Sequence, residues 1–270
     1  MDNLWLVIGL ALLPGLGNLA GGMVAEFARS TPALLNLALH AASGIVIGVV
    51  AIELTPEALN NLAGWWVAAS LAAGGAAYVG AEALIDRMSR SKNGGSGSSM
   101  WMIYVAVAID LSGDGLMIGS GSAVATSLAV VLAAGQVLAD FPEGYSVVAN
   151  LREKGVTRRR RVVVSLSFPL YCLGMALIAW FLLRDAPDAA KHVALSFVAG
   201  LLTVAAVEDM LEEAHEAAAD TRMSTVAFIG GFVLFALVSA GLGTIFGDGR
   251  DSAGRDGSGT LEREVQLDGP

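Results

Sequence analysis

Charge, cysteine and histidine are all scarce in this chain. Only 15% of its 270 residues are charged, against about 25% in a typical soluble domain. Cysteine occurs once, as Cys172 inside an apolar run, which excludes an internal disulfide and reads as a small core residue. Histidine occurs three times, and no Cys/His spacing suggests a structural zinc module. No Gly-x-x-x-x-Gly-Lys-Ser/Thr is present, so no phosphate-cradling loop points to ATP. Basic residues are few and the formal charge is −9, which disfavours nucleic acid as a partner. Met1-Asp2-Asn3 lacks the basic segment of a secretory signal, so the first apolar run is expected to be a retained membrane helix.

In place of charge the chain has apolar length. It is 55% hydrophobic, with a mean hydropathy of +0.64. A bilayer core of ~30 Å needs about 20 apolar residues as helix. Eight runs qualify, near 4–27, 34–56, 63–86, 100–121, 124–149, 161–183, 192–215 and 224–246. The expected class is therefore all-α: a polytopic membrane protein of eight transmembrane helices over residues 1–247, with a polar, disordered tail over 248–270. Arg29, Arg87, Arg90, Lys92, Arg152, Lys154, Arg158 to Arg161 and Arg222, eleven of the 16 basic residues, fall in the loops after helices 1, 3, 5 and 7. The positive-inside rule places those loops in the cytoplasm and both termini outside, in the cell (inner) membrane. The Arg158–Arg161 run reads as a topological anchor and lipid-headgroup contact. Trp65, Trp66, Trp101 and Tyr104 read as interface anchors, and Ala20, Gly21 and Gly22 as a close-packing stripe.

Two stretches break the apolar pattern: Asp110-Leu-Ser-Gly-Asp114-Gly115 in helix 4 and Asp140-Phe-Pro-Glu143-Gly144 in helix 5. Asp110 and Asp114 are i, i+4 and share one helix face. Asp140 and Glu143 are i, i+3 and share another. At 1.5 Å per residue Asp110 and Asp140 both lie ~15 Å deep, so the pairs can meet. A carboxylate at that depth costs roughly 2.5–3.5 kcal/mol, so four together call for a cation, protons or a water-filled cavity. A divalent-metal site is the preferred reading. A structural network of protonated acids and a metal-free proton relay are the alternatives. Gly113, Gly115, Pro142 and Gly144 loosen the backbone there and can free carbonyl oxygens.

The constellation resembles the ZIP (Zrt/Irt-like) family of divalent-metal transporters. The resemblance rests on eight spans with both termini outside and on DLSGDGLMIGSG in helix 4 and ADFPEGYSVVANLREKG in helix 5. It covers nearly the whole chain except the tail. The family patterns are His-Asn-x-x-Asp/Glu-Gly and His/Gln-Asp/Glu-x-Pro-Glu-Gly. The resemblance implies a metal site between helices 4 and 5, with Asp114 and Glu143 bridging and Asp140 at the family's acidic position. Asp110 stands where the family usually has His, Leu111 where it has Asn, and Ala139 where it has His or Gln. In helix 6, where some members place Glu before Pro, this chain has Phe168-Pro169. With no imidazole left, an oxygen-only set suits Mn²⁺ or Fe²⁺ better than Zn²⁺. The cation, of the Zn, Fe, Mn or Cd class, is cargo, and no tightly bound cofactor is expected. No enzyme chemistry is expected either: an aspartyl-type intramembrane protease would need Gly where Leu111 stands.

A path is also suggested. Glu53 and Glu57 lie at the outer end of helix 2, placed to draw cations in or to serve as ordinary interface charge. Glu208, Asp209 and Glu212 end helix 7 on the inner side; the resemblance implies that Glu208-Asp209 help metal leave. Protons bound by the clustered acids could accompany release. Glu213 and Glu216 are expected to face water, Glu82 and Asp86 to be solvated. His40 and His192 read as structural or interfacial, and Ser43, Ser112 and Gln136 as packing or pathway groups. The linker Ser89–Ser99 has no His, unlike the long His-rich loop of many family members. The family implies a homodimer. A degenerate, non-transporting protein that binds metal or protons for sensing or structure is the alternative function.

Overall fold

A computed structural model of the chain describes residues 4–28, 31–90 and 96–246. The 248–270 tail, Arg29 and residues 91–95 of the Gly/Ser linker, Lys92 among them, lie outside these, as do the side chains of Asp86 and Trp101. The described residues are helical with no strand. They form eight helical rods: α1 (Leu4–Phe27), α2 (Pro32–Asn61), α3 (Gly64–Arg90), α4 (Ser96–Val124), α5 (Thr126–Glu153), α6 (Arg158–Leu183), α7 (Asp188–Ala217) and α8 (Arg222–Phe246). Six of them (α1, α2, α3, α6, α7 and α8) are long and apolar enough to cross a membrane. That is compatible with an integral membrane protein. The other two, α4 and α5, carry the four carboxylates.

The rods run longer than the apolar runs predict. α2 continues to Asn61 and α7 to Ala217 because each passes through one wide π turn, Val49–Leu54 in α2 and Ala206–Leu211 in α7. Such turns absorb an extra residue without ending the helix, and they frequent functional sites. Pro56 lies inside the continuous rod, directly after the α2 π turn, at the second residue of the α-helical stretch Thr55–Asn61. The start of α2 is set by Thr31, whose Oγ1 accepts from the Leu34 N–H at 3.2 Å, with Pro32 following.

The distribution of side chains is the reverse of a water-soluble fold. Leu170, Leu182, Leu237 and Ile245 stand two-thirds or more exposed. The interior instead holds Asn18, Asn36, His40, Ser43, Gln136 and the four acids among Ala, Gly and Val. Such an exterior is stable when apolar tails cover it. The helices inside are drawn together by small residues: a Cβ on Gly21 would sit 1.8 Å from the Phe141 carbonyl oxygen, and one on Gly144 would sit 1.9 Å from that of Asn18. These two glycines let α1 and α5 touch backbone to backbone, as the Ala20–Gly22 stripe predicts.

The arrangement repeats itself. α1 packs on α5 as α6 packs on α4, and α2 packs on α8 as α7 packs on α3. Every strong helix pairing survives the exchange of α1, α2 and α3 for α6, α7 and α8 and of α4 for α5. The two π turns are counterparts under this exchange. α4 and α5 are therefore the central pair, flanked by two equivalent groups of three, and the four acids lie on that pair.

Candidate metal centre

The structure places Asp110, Asp114, Asp140 and Glu143 in one buried layer between α4 and α5 as neighbouring pairs; among the described residues the three ligand groups found within 4.8 Å of one another are His40, His215 and Asp220, not these acids. All four are buried, Asp114 and Asp140 completely. The carboxyls of Asp110 and Glu143 face each other within hydrogen-bond reach across α4 and α5, and Asp114 neighbours Asp140. Both helices are continuous here: Pro142 lies inside α5 and does not break it, contrary to the loosened backbone expected from the sequence.

Asp110 Oδ2, Asp114 Oδ2, both oxygens of Asp140 and Glu143 Oε2 are buried and accept no hydrogen bond. Gln136, one turn before Asp140 on the same face of α5, donates its amide N–H to Asp114 and leaves its own Oε1 unpartnered. Every unpartnered atom of this group is an acceptor. Buried acceptors facing acceptors are costly unless a proton or a cation joins them, and the oxygen-only donor set matches hard or intermediate divalent ions. Gln136 is a member that the acid-based reading left among packing or pathway groups; its i, i+4 spacing to Asp140 was the available signal. Asn18 on α1 adds a buried amide with no partner, its carbonyl against Gly144. Cys172 is buried beside this layer, close to Asp114 and Asp140 and to the backbone of Gly15.

One side of the centre opens into a cavity of about 360 Å³ lined by Asp110 and Glu143 at one end and by Glu208, Asp209, Glu212 and Glu213 beyond. It runs toward the end of the molecule where α5 and α7 finish. The α7 acids of the sequence reading thus share a cavity with two of the four central acids. Glu213, expected to face water, accepts from Ser146 and Asn150 of α5. Glu82, expected to be solvated, is hydrogen-bonded to Asp209, which also accepts from the Tyr78 hydroxyl. These contacts are invisible to periodicity because they depend on which turn of α3 meets the π turn of α7.

Glu53 and Glu57 do not line this cavity. Glu53 accepts from Ser239 of α8. Glu57 lies 3.5 Å from His192 Nε2 and accepts weakly from Asn61 at 3.4 Å. His192 is thus a buried helix-to-helix contact rather than an interfacial group. Ser43 donates to the carbonyl of Ala206, at the start of the α7 π turn, at 3.0 Å, and Ser112 to that of Ala108 at 2.5 Å. Arg161 is no free anchor: Nε and Nη2 grip the Glu26 carboxylate at 2.6 and 2.8 Å. Trp65 and Trp66 are exposed and stacked at 4.1 Å, as interface anchors would be.

At the same end as the acid-lined cavity, His40 and His215 meet ring edge to face with centroids 5.7 Å apart. Asp220 lies between them, 3.6 Å from His40 Nε2 and 2.7 Å from His215 Nε2. The Asn36 amide beside Asp220, with His215, holds its carboxyl below the usual carboxylate range.

The fold and this centre define a class: an all-helical protein, compatible with membrane insertion, with a buried acid cluster between its two central helices. Comparison with known families yields no matching family model, and no curated protein matches the sequence.

Proposed function

We propose that the protein is a ZIP-like carrier of divalent metal, with eight transmembrane helices, both termini outside and the α5/α7 end in the cytoplasm. Metal binds between α4 and α5 at Asp110, Asp114, Asp140 and Glu143, with the Gln136 carbonyl as a further oxygen. It enters from the side of Glu53 and Glu57 and leaves through the cavity lined by Glu208, Asp209 and Glu212. The transport is secondary or facilitated, since no nucleotide motif accompanies the path. The observation that carries the reading is a layer with five buried, unpartnered carboxylate oxygens, two of whose acids, Asp110 and Glu143, open on a cavity lined by further acids. Charges at bilayer depth mark ion paths by default, and central helices flanked by two equivalent groups suit alternating access.

The cargo is Mn²⁺ or Fe²⁺ in preference to Zn²⁺, because the donor set contains oxygen and no imidazole. Titrating Mn²⁺ into the detergent-solubilised protein, with the free ion followed by EPR, tests the site. The free-ion signal should be suppressed by the wild type and restored in Asp114→Asn/Glu143→Gln. Equal suppression by both proteins, or none by either, rules the site out.

A further inference from the structure

We infer that His40, His215 and Asp220 form a second metal site, for a borderline cation of the Zn²⁺ class, at the end of the protein where α2 begins and α7 finishes. It is separate from the α4/α5 centre and of different chemistry: two imidazoles and one carboxylate instead of oxygens alone.

The geometry is nearly that of an assembled cage. One ligand atom from each residue lies within 4.8 Å of the other two. Ligands about 2.0–2.1 Å from a tetrahedral Zn²⁺ are roughly 3.3 Å from one another. His40 Nε2 to Asp220 Oδ1 is 3.6 Å. His215 Nε2 to Asp220 Oδ2 is 2.7 Å, a hydrogen-bond separation, so binding needs that pair to open by several tenths of an ångström. His215 and Asp220 are exposed, so water can take the fourth position.

The outer contacts of His40 leave its ligand nitrogen free, whereas His215 Nε2 donates to Asp220 and must give up that proton to bind. His40 Nδ1 is 2.8 Å from the Asn36 carbonyl oxygen. A carbonyl only accepts, so Nδ1 carries the proton, and in the neutral ring Nε2 presents a bare lone pair to a carboxylate oxygen. Two acceptors face each other and ask for a cation between them. This is how metal-binding histidines are usually oriented. The Asn36 amide donates to Asp220 Oδ1 at 3.0 Å and to the Ala214 and Ala218 carbonyls at 2.9 and 3.0 Å, while Ser224 of α8 donates to its oxygen at 2.7 Å. Asn36 is buried and saturated, and it fixes the end of α7, Asp220 and the start of α8 against α2.

The opposite end of the repeat shows what is special here. His192, near the start of α7, falls opposite Asn36 in the repeat and also turns Nδ1 to the carbonyl four residues back, at 2.7 Å from Asp188. It faces Glu57, and no second histidine remains in the chain to join them. Only the His40 end has an imidazole pair. Glu212, Glu213 and Glu216, which flank His215 on α7, line the acid cavity. A cation bound here therefore fastens the last turn of α7 beside the mouth of that cavity.

The test is Co²⁺ titration of the full-length, tag-free chain in detergent, in an Asp114→Asn/Glu143→Gln background that disables the central site. One equivalent of Co²⁺ should give the intense visible bands of a tetrahedral ion, displaced by Zn²⁺. His215→Ala or Asp220→Asn, both at exposed positions, should weaken binding by more than the ~10–100-fold typical of outer-contact changes. His215→Cys should keep the bands and add a thiolate charge-transfer absorption. Absence of tetrahedral bands, or bands indifferent to His215→Ala and Asp220→Asn, overturns the site.

Discussion

Gln136 on α5 donates its amide N–H to Asp114 on α4, across the seam that holds the acid cluster. The bond spends one N–H on Asp114 and leaves the amide oxygen buried and unpartnered. Gln136→Leu removes both the orienting bond and the extra oxygen. It should weaken Mn²⁺ binding by about 10–100-fold while leaving the circular dichroism spectrum helical. Unchanged affinity by EPR titration would show that Gln136 only packs.

Asp110 occupies the position where a histidine would bring nitrogen to the cluster. Asp110→His should therefore shift the ratio of Zn²⁺ to Mn²⁺ affinity upward, by tenfold or more if one imidazole replaces one oxygen at about 1.4 kcal/mol. Competition between the two ions in the same titration reads the ratio directly. A ratio that does not move would mean that Asp110 is outside the coordination sphere.

Glu213 is held by Ser146 and Asn150, both donors. Glu213→Gln keeps an oxygen to accept from them and removes the charge from the cavity. Metal binding at the α4/α5 centre should persist and flux through the cavity should fall. If binding and flux drop together, Glu213 holds structure rather than the path.

Gly144 supports the cluster from behind. Alanine there places a Cβ 1.9 Å from the Asn18 carbonyl oxygen, a backbone clash that no rotamer relieves. Gly144→Ala should cost about 1–3 kcal/mol or more, seen as a lowered thermal midpoint in detergent, and should disturb Glu143 next to it. Gly174 has open space around its Cβ position, so Gly174→Ala serves as the control and should leave the midpoint within experimental error.

Much of this was legible in the sequence, and the reason differs by residue. The runs read from the sequence foretell the eight helical rods, but by length and apolarity only six of them could cross a membrane, because the acids lower the apolarity of α4 and α5. Their ends are less legible: the π turns at Val49–Leu54 and Ala206–Leu211 carry α2 and α7 past the expected stops, and no residue type marks a π turn. The acids at 110, 114, 140 and 143 were legible as a cluster because the helical period puts each pair on one face. Gln136 stood undecided between packing and pathway and Asn18 was not singled out, since a neutral amide in an apolar run signals packing as readily as ligation. The meeting of His40 with His215 and Asp220 was beyond reach, because residues 40 and 215 come together only through the packing of α2 against the end of α7. Their chemistry is local, but their proximity belongs to the repeat.

The central claim is transport through the α4/α5 centre, and uptake into liposomes tests it most directly. The purified protein, reconstituted and supplied with Mn²⁺, Fe²⁺, Zn²⁺ or Cd²⁺ outside, should accumulate Mn²⁺ or Fe²⁺ inside, and Glu143→Ala should abolish the accumulation. A correctly folded protein that moves none of these ions, or a Glu143→Ala variant that moves them as well as the wild type, would contradict the account and leave the acid cluster as a sensing or structural element.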